Sequence, residues 1–220
     1  MEGITRQGVG IIEIEYTYYT IAEPVRTKLL VGACRFYASL APCAREEEAR
    51  AFIEGVKNEF VGATHHATVI RLGMGDGILV RSDDDGEPAG TAGAPMLSVL
   101  EKFQLTNIAL VGTRFFGGVK LGVGGLVRAY RSCAEVGVNA AEICSRELQE
   151  KGFINIPYDY LGAAIREVEA GEGKILHFHY AQKVGIDILV PSRKLETLQK
   201  RIAAVTKGEA EVVVGKSECL

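Results

Sequence analysis

Between residues 113 and 131 the chain reads TRFFGGVKLGVGGLVRAYR, with glycines at 117, 118, 122, 124 and 125. Just before it, Ile108 to Thr113 (IALVGT) is a short, uncharged, β-prone run of the kind that forms a buried strand. Just after it, Leu126, Ala129, Tyr130, Cys133, Gly137 and Ala140 recur at helical spacing, a stripe rich in small residues that permits close helix packing. Strand, glycine loop and long helix must therefore follow one another directly. Arg114, Lys120, Arg128 and Arg131 place positive charge around the helix start, where free backbone amides favour anions, so the segment reads as a cradle for phosphate or carboxylate. It matches neither the G-x-x-x-x-G-K-[ST] loop nor a dinucleotide-binding βαβ unit. The other reading is that the glycines serve tight turns and close strand–helix contact without a ligand.

A second unusual loop, SDDDGEPAGTAG, spans residues 82–93. Asp83, Asp84, Asp85 and Glu87 hold enough carboxylate for a hard cation such as Mg²⁺, but the spacing is wrong for a helix-loop-helix calcium site and consecutive side chains diverge. An exposed acidic turn is the default. The two loops are expected side by side in one cleft, with Arg128 reaching Asp84, Asp85 or Glu87. His65 and His66 are adjacent, so on a strand they face opposite sides and one can reach the cleft. His177 and His179 share a face without a third ligand in view, which reads as a solvated or partly buried sheet face. No Ser-His-Asp order, nucleophile elbow or H-E-x-x-H motif appears; Cys34 lacks a base partner and Cys133 reads as core.

The 220 residues have room for two modest domains. Ile11 to Tyr16 alternates as a half-buried strand, with a hairpin-like continuation expected after it. Glu46 to Phe60 carries one helical stripe (Ala49, Phe52, Ile53, Val56, Phe60). Thr64 to Leu72 reads as a strand paired with Ile78 to Arg81, and Met96 to Phe103 as a short helix. A boundary open to proteolysis is expected between residues 142 and 152, giving a first domain over 1–145 and a second over 152–220. The second runs strand Phe153–Ile156, helix Leu161–Ala170, strands Lys174–Tyr180 and Val184–Val190, helix Leu195–Thr206 and strand Glu211–Val214. That βαββαβ order is the ferredoxin-like arrangement, an antiparallel sheet with both helices on one face, so the fold class is α+β.

At 47% hydrophobic and 24% charged residues the chain can build a core, and its net charge of -3 means that any polyanion must be drawn by a local patch. Five cysteines without a C-x-x-C pair suit reduced thiols. With no secretory-type start and no apolar run of about 18 residues, a soluble cytoplasmic protein without membrane contact is expected.

Three stretches together resemble one family: ATHHATVIRLG at 63–73, SDDDGEPAGTAGAPML at 82–97 and VGTRFFGGVKLGVGGLVRAY at 111–130 look like the YigZ/IMPACT family, bacterial two-domain type. The resemblance implies a first domain of the ribosomal protein S5 domain 2-like fold and a second similar to the ferredoxin-like domains of elongation factor G. It implies regulation of translation through protein partners and the ribosome. Carried over by position, the shared surface comprises His65, Asp84, Asp85, Gly86, Glu87, Pro88, Gly90 and Thr91, with Arg114, Gly117, Gly118, Lys120, Gly122, Gly125, Arg128 and Tyr130. The chain departs from the usual pattern at Phe115-Phe116, where a tyrosine is common first, at Cys34, where serine is common, and at Ala67, where cysteine is frequent.

The function expected is a non-enzymatic, translation-associated regulatory factor that binds RNA, the ribosome or a ribosome-bound protein through the glycine-rich face, with no catalytic residue, metal or cofactor. The alternative is a metal-assisted enzyme acting on a phosphorylated or peptide substrate, with Asp84, Asp85 and Glu87 at a metal and Arg114 or Lys120 on the anion. The absence of an identifiable nucleophile and base favours the first.

Overall fold

A computed structural model describes residues 16–215. In chain order its elements are β1 (Thr17–Ile21), β2 (Val25–Val31), β3 (Cys34–Pro42), α1 (Glu46–Glu59), β4 (His65–Leu72), β5 (Leu79–Asp83), α2 (Gly93–Lys102), β6 (Ile108–Phe115) and α3 (Gly122–Ala140). There follow β7 (Ile143–Glu147), β8 (Gln149–Ile156), α4 (Leu161–Ala170), β9 (Lys174–Tyr180), β10 (Val184–Pro191), α5 (Ser192–Val205) and β11 (Glu211–Val214). The fold is α+β, and every named strand pair is antiparallel.

A five-stranded sheet, ordered β2-β3-β6-β4-β5, organises the first part of the chain. The uncharged run expected to be a buried strand, β6, lies at its centre and is buried from Ile108 to Arg114. Helices α2 and α3 pack on one face over a core that includes Phe36, Leu40, Val69, Met96, Leu110 and Tyr130. The small-residue stripe of α3 acts there: a Cβ on Gly137 would stand 2.5 Å from Leu40 Cδ1 and 2.9 Å from the Ala38 Cβ, so only glycine lets the helix approach β3 this closely. Helix α1 covers part of the other face, burying Ala49, Ile53 and Val56 against Ile70, Ala109 and Val111. Glu46, Glu47 and Glu48 in its first turn and Lys57 in its last complement the helix dipole.

The later elements form a second, four-stranded sheet ordered β11-β8-β10-β9. Ile154, Ile156, Val184, Ile186, Ile188 and Val190 alternate onto one face and bury α4 and α5 through Ala164, Val168, Leu198 and Ile202. Helix α4 and strands β9 and β11 have the bounds read from periodicity.

Several expectations change. Of the strand proposed over Ile11–Tyr16 only Tyr16 falls among the described residues, and it precedes β1 rather than lying in a strand. The following strand does not close a hairpin locally: β1 pairs with β7, more than a hundred residues later, and the hairpin is β2–β3. Regular structure extends into the acidic segment, because β5 pairs with β4 as far as Asp83. The stretch expected to be open to proteolysis is two strands joined through Leu148. The Leu148 amide donates to the Tyr16 carbonyl at 2.7 Å, and its carbonyl accepts from the Ser192 amide at 2.9 Å. Among the described residues no helix is long and apolar enough to cross a membrane.

Candidate functional site

Strand register builds the site. In the five-stranded sheet Arg114 on β6 stands opposite Phe36 on β3 and opposite His65 on β4, so the three side chains project together from one face, on the side of α2 and α3. His66 points the other way, and its Nδ1 lies 3.2 Å from Thr113 Oγ1. Of the adjacent pair only His65 enters the site, as alternation requires.

The acidic turn folds back over this face and is held by its own carboxylates. Asp84 accepts hydrogen bonds from the amides of Gly90 (2.6 Å), Ala92 (2.9 Å) and Gly93 (2.7 Å), which ties the turn to the start of α2. Burial opposes the charge on Asp84, but the three amides outweigh it and hold its carboxyl below the ordinary value. Asp85, at φ +49°, accepts from the His66 amide through Oδ2 (2.6 Å), and its own amide donates to Asp83 Oδ1 (2.8 Å). His65 Nδ1 lies 2.6 Å from the Asp85 carbonyl; a carbonyl can only accept, so Nδ1 carries the proton. Thr91 is buried and donates to the Pro88 carbonyl at 2.6 Å.

Glu87 is thereby swung into the protein, where it is 7% exposed. Arg114 Nη1 donates to both its oxygens, at 2.8 and 3.0 Å, and the Tyr130 hydroxyl donates to Oε1 at 2.8 Å. Arg114 Nη2 reaches Cys34 Sγ at 3.6 Å, while its Nε is buried without a partner. Burial opposes the guanidinium charge, but Glu87 and Cys34 overcome this and raise its pKa. Burial, followed by the neighbouring Glu87 carboxylate, pushes the Tyr130 phenol up, so it stays a neutral donor.

The turn and the glycine-rich segment do meet. Between them lies a cleft of about 420 Å³ walled by His65, Pro88, Phe116, Leu121, Val123 and Leu126, with Glu87 and Arg114 at its side and Lys120 and Gly122 at its rim. Gly117 is pressed against the β2–β3 turn, where a Cβ would stand 2.1 Å from the Ala33 carbonyl oxygen. Gly118 adopts φ +88°. Gly122, Gly124 and Gly125 lie in the first turn of α3, which has no side-chain cap among the described residues.

Some site residues have different roles from those expected. Arg128 does not secure the acidic loop. It is exposed on α3, because two residues along a helix turn it about 200° from the inward-facing Tyr130, and Arg114 takes that position. Tyr130 and Thr91 are core groups rather than surface ones. Asp84, Asp85 and Glu87 face three separate sets of donors and do not converge as metal ligands. His177 and His179 share a face as expected, their rings 4.7 Å apart, and Asp187 on β10 joins them, 2.7 Å from His179 Nε2. Sequence reasoning missed Phe36, Leu126 and the contact of Cys34 with Arg114. Pairing of β3, β6 and β4, with α3 packed on the same face, brings these together.

A model of the Impact N-terminal domain matches residues 33–138, the stretch that holds this site. The chain is 32% identical over 201 residues to a Bacillus subtilis (strain 168) protein described as IMPACT family member YvyE, covering 91% of this chain and 92% of that protein. It is 32% identical over 197 residues to IMPACT family member YigZ of Escherichia coli (strain K12), covering 87% and 95%. A solved structure described as that of a hypothetical protein superposes with a TM-score of 0.74 at 28% identity, covering 91% of this chain and 98% of that one.

Proposed function

Starting from the fact that this chain belongs to the IMPACT family, we propose that it is a non-enzymatic regulatory factor of translation, acting in the cytoplasm, whose cleft receives an apolar side chain or loop of a ribosome-bound protein. The translation role comes from what the family resemblance implies. One observation carries the choice of partner: the cleft's buried cation is already neutralised, because Arg114 gives its donors to Glu87 inside the protein. What is left to a ligand is a largely apolar wall, with Phe116 46% and Val123 62% exposed at the opening and His65, Lys120 and the start of α3 as its polar edge. Concave apolar sites with a few fixed polar groups suit insertion of a partner's side chain. An RNA phosphate would find Lys120 there but not Arg114.

The enzyme reading would need Glu87 at a metal and Arg114 on a substrate anion, whereas here the two side chains are bonded to each other. We further read the chain as two domains, an S5 domain 2-like one over 1–145 and a ferredoxin-like one over 152–220. The β8-α4-β9-β10-α5-β11 order with both helices on one sheet face supports the second assignment.

The test is sedimentation with ribosomes at low and high salt, together with crosslinking from a photoreactive residue at position 123. Apolar docking is expected to persist at high salt, to disappear in a Phe116→Ala/Val123→Glu variant that melts like the parent, and to crosslink to protein. Crosslinks to ribosomal RNA, or binding that the variant retains, would overturn the reading.

A further inference from the structure

Helix α1 leaves one end of its sheet face open, and a different chemistry gathers there. Tyr37 on β3, Phe115 on β6 and Phe60 at the end of α1 form a half-buried triangle of rings, with centroids 4.8, 6.0 and 6.2 Å apart. Each ring carries a cation. Arg26 Cζ lies 4.8 Å from the Phe60 centroid, Arg35 Cζ 4.9 Å from Phe115 and Lys28 Nζ 5.9 Å from Tyr37. Register produces this: Lys28 is paired across the ladder with Tyr37, and Arg35 with Phe115. Arg26 and Lys28, two apart on β2, share that face.

All three cations are exposed; among the described residues one acidic group, Glu59, meets them, 2.5 Å from Arg26, whose Nε also donates to Ser39 Oγ at 3.0 Å. In a chain of net charge -3 this is a local positive field on an aromatic floor. It lies on the sheet face opposite to the Arg114 cleft. We propose that this open face binds single-stranded RNA. Guanidinium groups held over rings, beside the rings themselves, offer surfaces on which unpaired bases stack, and the Arg35 guanidinium and the Lys28 ammonium meet phosphates. Cations two residues apart on a strand stand about 7 Å apart, which matches the step between neighbouring phosphates of an extended chain. A duplex hides its base faces and cannot use the floor. The choice of RNA over DNA rests on the translation reading above; the surface itself is independent of the cleft.

The experiment is fluorescence anisotropy of the whole protein with labelled single-stranded RNA, duplex RNA and single-stranded DNA. Two phosphate contacts, from Lys28 and Arg35, at about -0.7 each give a log-log salt slope of about -1.4, so single-stranded RNA should bind roughly sevenfold more weakly at about 200 mM than at about 50 mM salt. A Lys28→Gln/Arg35→Gln variant, with its melt recorded alongside, should bind at least about tenfold more weakly and flatten the slope by about 1.4. Lys28→Glu provides a second, single-site check in the same direction. The Phe116→Ala/Val123→Glu cleft variant should bind RNA like the parent. Equal affinity and slope in the Lys28/Arg35 variant overturns the proposal, as does duplex RNA binding as tightly as single strands. DNA binding equal to RNA overturns the choice of ligand. Loss of RNA binding in the cleft variant instead would move the RNA to the cleft and overturn both this platform and the protein-partner reading.

Discussion

Glu87 presents both carboxylate oxygens to one nitrogen of Arg114, Nη1, and the two side chains are only 3% and 7% exposed. Removing either partner leaves the other as an uncompensated buried charge. Glu87→Ala is therefore expected to lower stability by about 3 to 5 kcal/mol in urea denaturation, and Arg114→Met by a similar amount. The double variant Glu87→Leu/Arg114→Met should recover most of that loss, because two apolar groups of similar size leave no orphan charge. Single variants within about 0.5 kcal/mol of the parent would show that water, not protein, compensates the pair.

Asp84 caps α2 from a distant turn, so Asp84→Ala should cost about 1 to 2 kcal/mol at neutral pH. The sign with pH follows from its lowered pKa. The charged form is favoured in the folded state, so the contribution is full above the ordinary value of 3.8 and fades as pH falls through the lower folded value. The gap between parent and variant should accordingly narrow in acid. A gap independent of pH would mean that the cap does not depend on charge.

Two helical glycines should respond oppositely to alanine. At Gly55 in α1 nothing stands within 4 Å of the new Cβ, and Gly55→Ala should stabilise by about 0.4 to 1 kcal/mol. At Gly137 the same gain in helix propensity meets Leu40 Cδ1 at 2.5 Å, and the clash wins, with an expected loss of about 1 to 3 kcal/mol. Paired thermal melts decide, and equal shifts in Tm would refute the close approach of α3.

Thiol reactivity should follow burial. Burial pushes the Cys133 thiol up to about 12, and burial with the nearby Glu48 charge pushes Cys43 up to about 11, so neither offers thiolate at pH 8. In a Cys219→Ser background, alkylation mapped by mass spectrometry should mark the half-buried Cys144 first. Early labelling of Cys133 would indicate opening of the α3 core.

Because Leu148 is hydrogen bonded on both sides, a protease under native conditions should spare residues 143–156 and cut the exposed turn at residues 88–90 earlier. A first cut within 143–156 would show that the joined strands open independently.

Local chemistry made much of this legible in the sequence. Period 3.6 over Glu46–Glu59 and Leu161–Ala170 specifies a helix wherever one face must leave water, Phe153–Ile156 and Val184–Val190 read as strands, and the motifs around SDDDGEP and FFGGVKLGVGG point to one cleft, whereas the first half of β8 buries Glu150 and Gly152 and carries no apolar alternation. Tertiary structure alone decided which charges remain available. Arg114, Lys120 and Arg128 look equivalent in the sequence, but β6 is central and buries Arg114 beside Glu87, whereas the other two stay exposed. The same holds for Lys28 and Arg35, which sequence gives no reason to single out until antiparallel register sets them over Tyr37 and Phe115. The pairing of β1 with β7 rather than in a local hairpin, and the strand β7 within the expected boundary, have the same cause: each is a short strand whose partner lies far along the chain. Hydrophobic periodicity acts between near neighbours and is written in the sequence, whereas pairing between distant segments depends on packing the whole core.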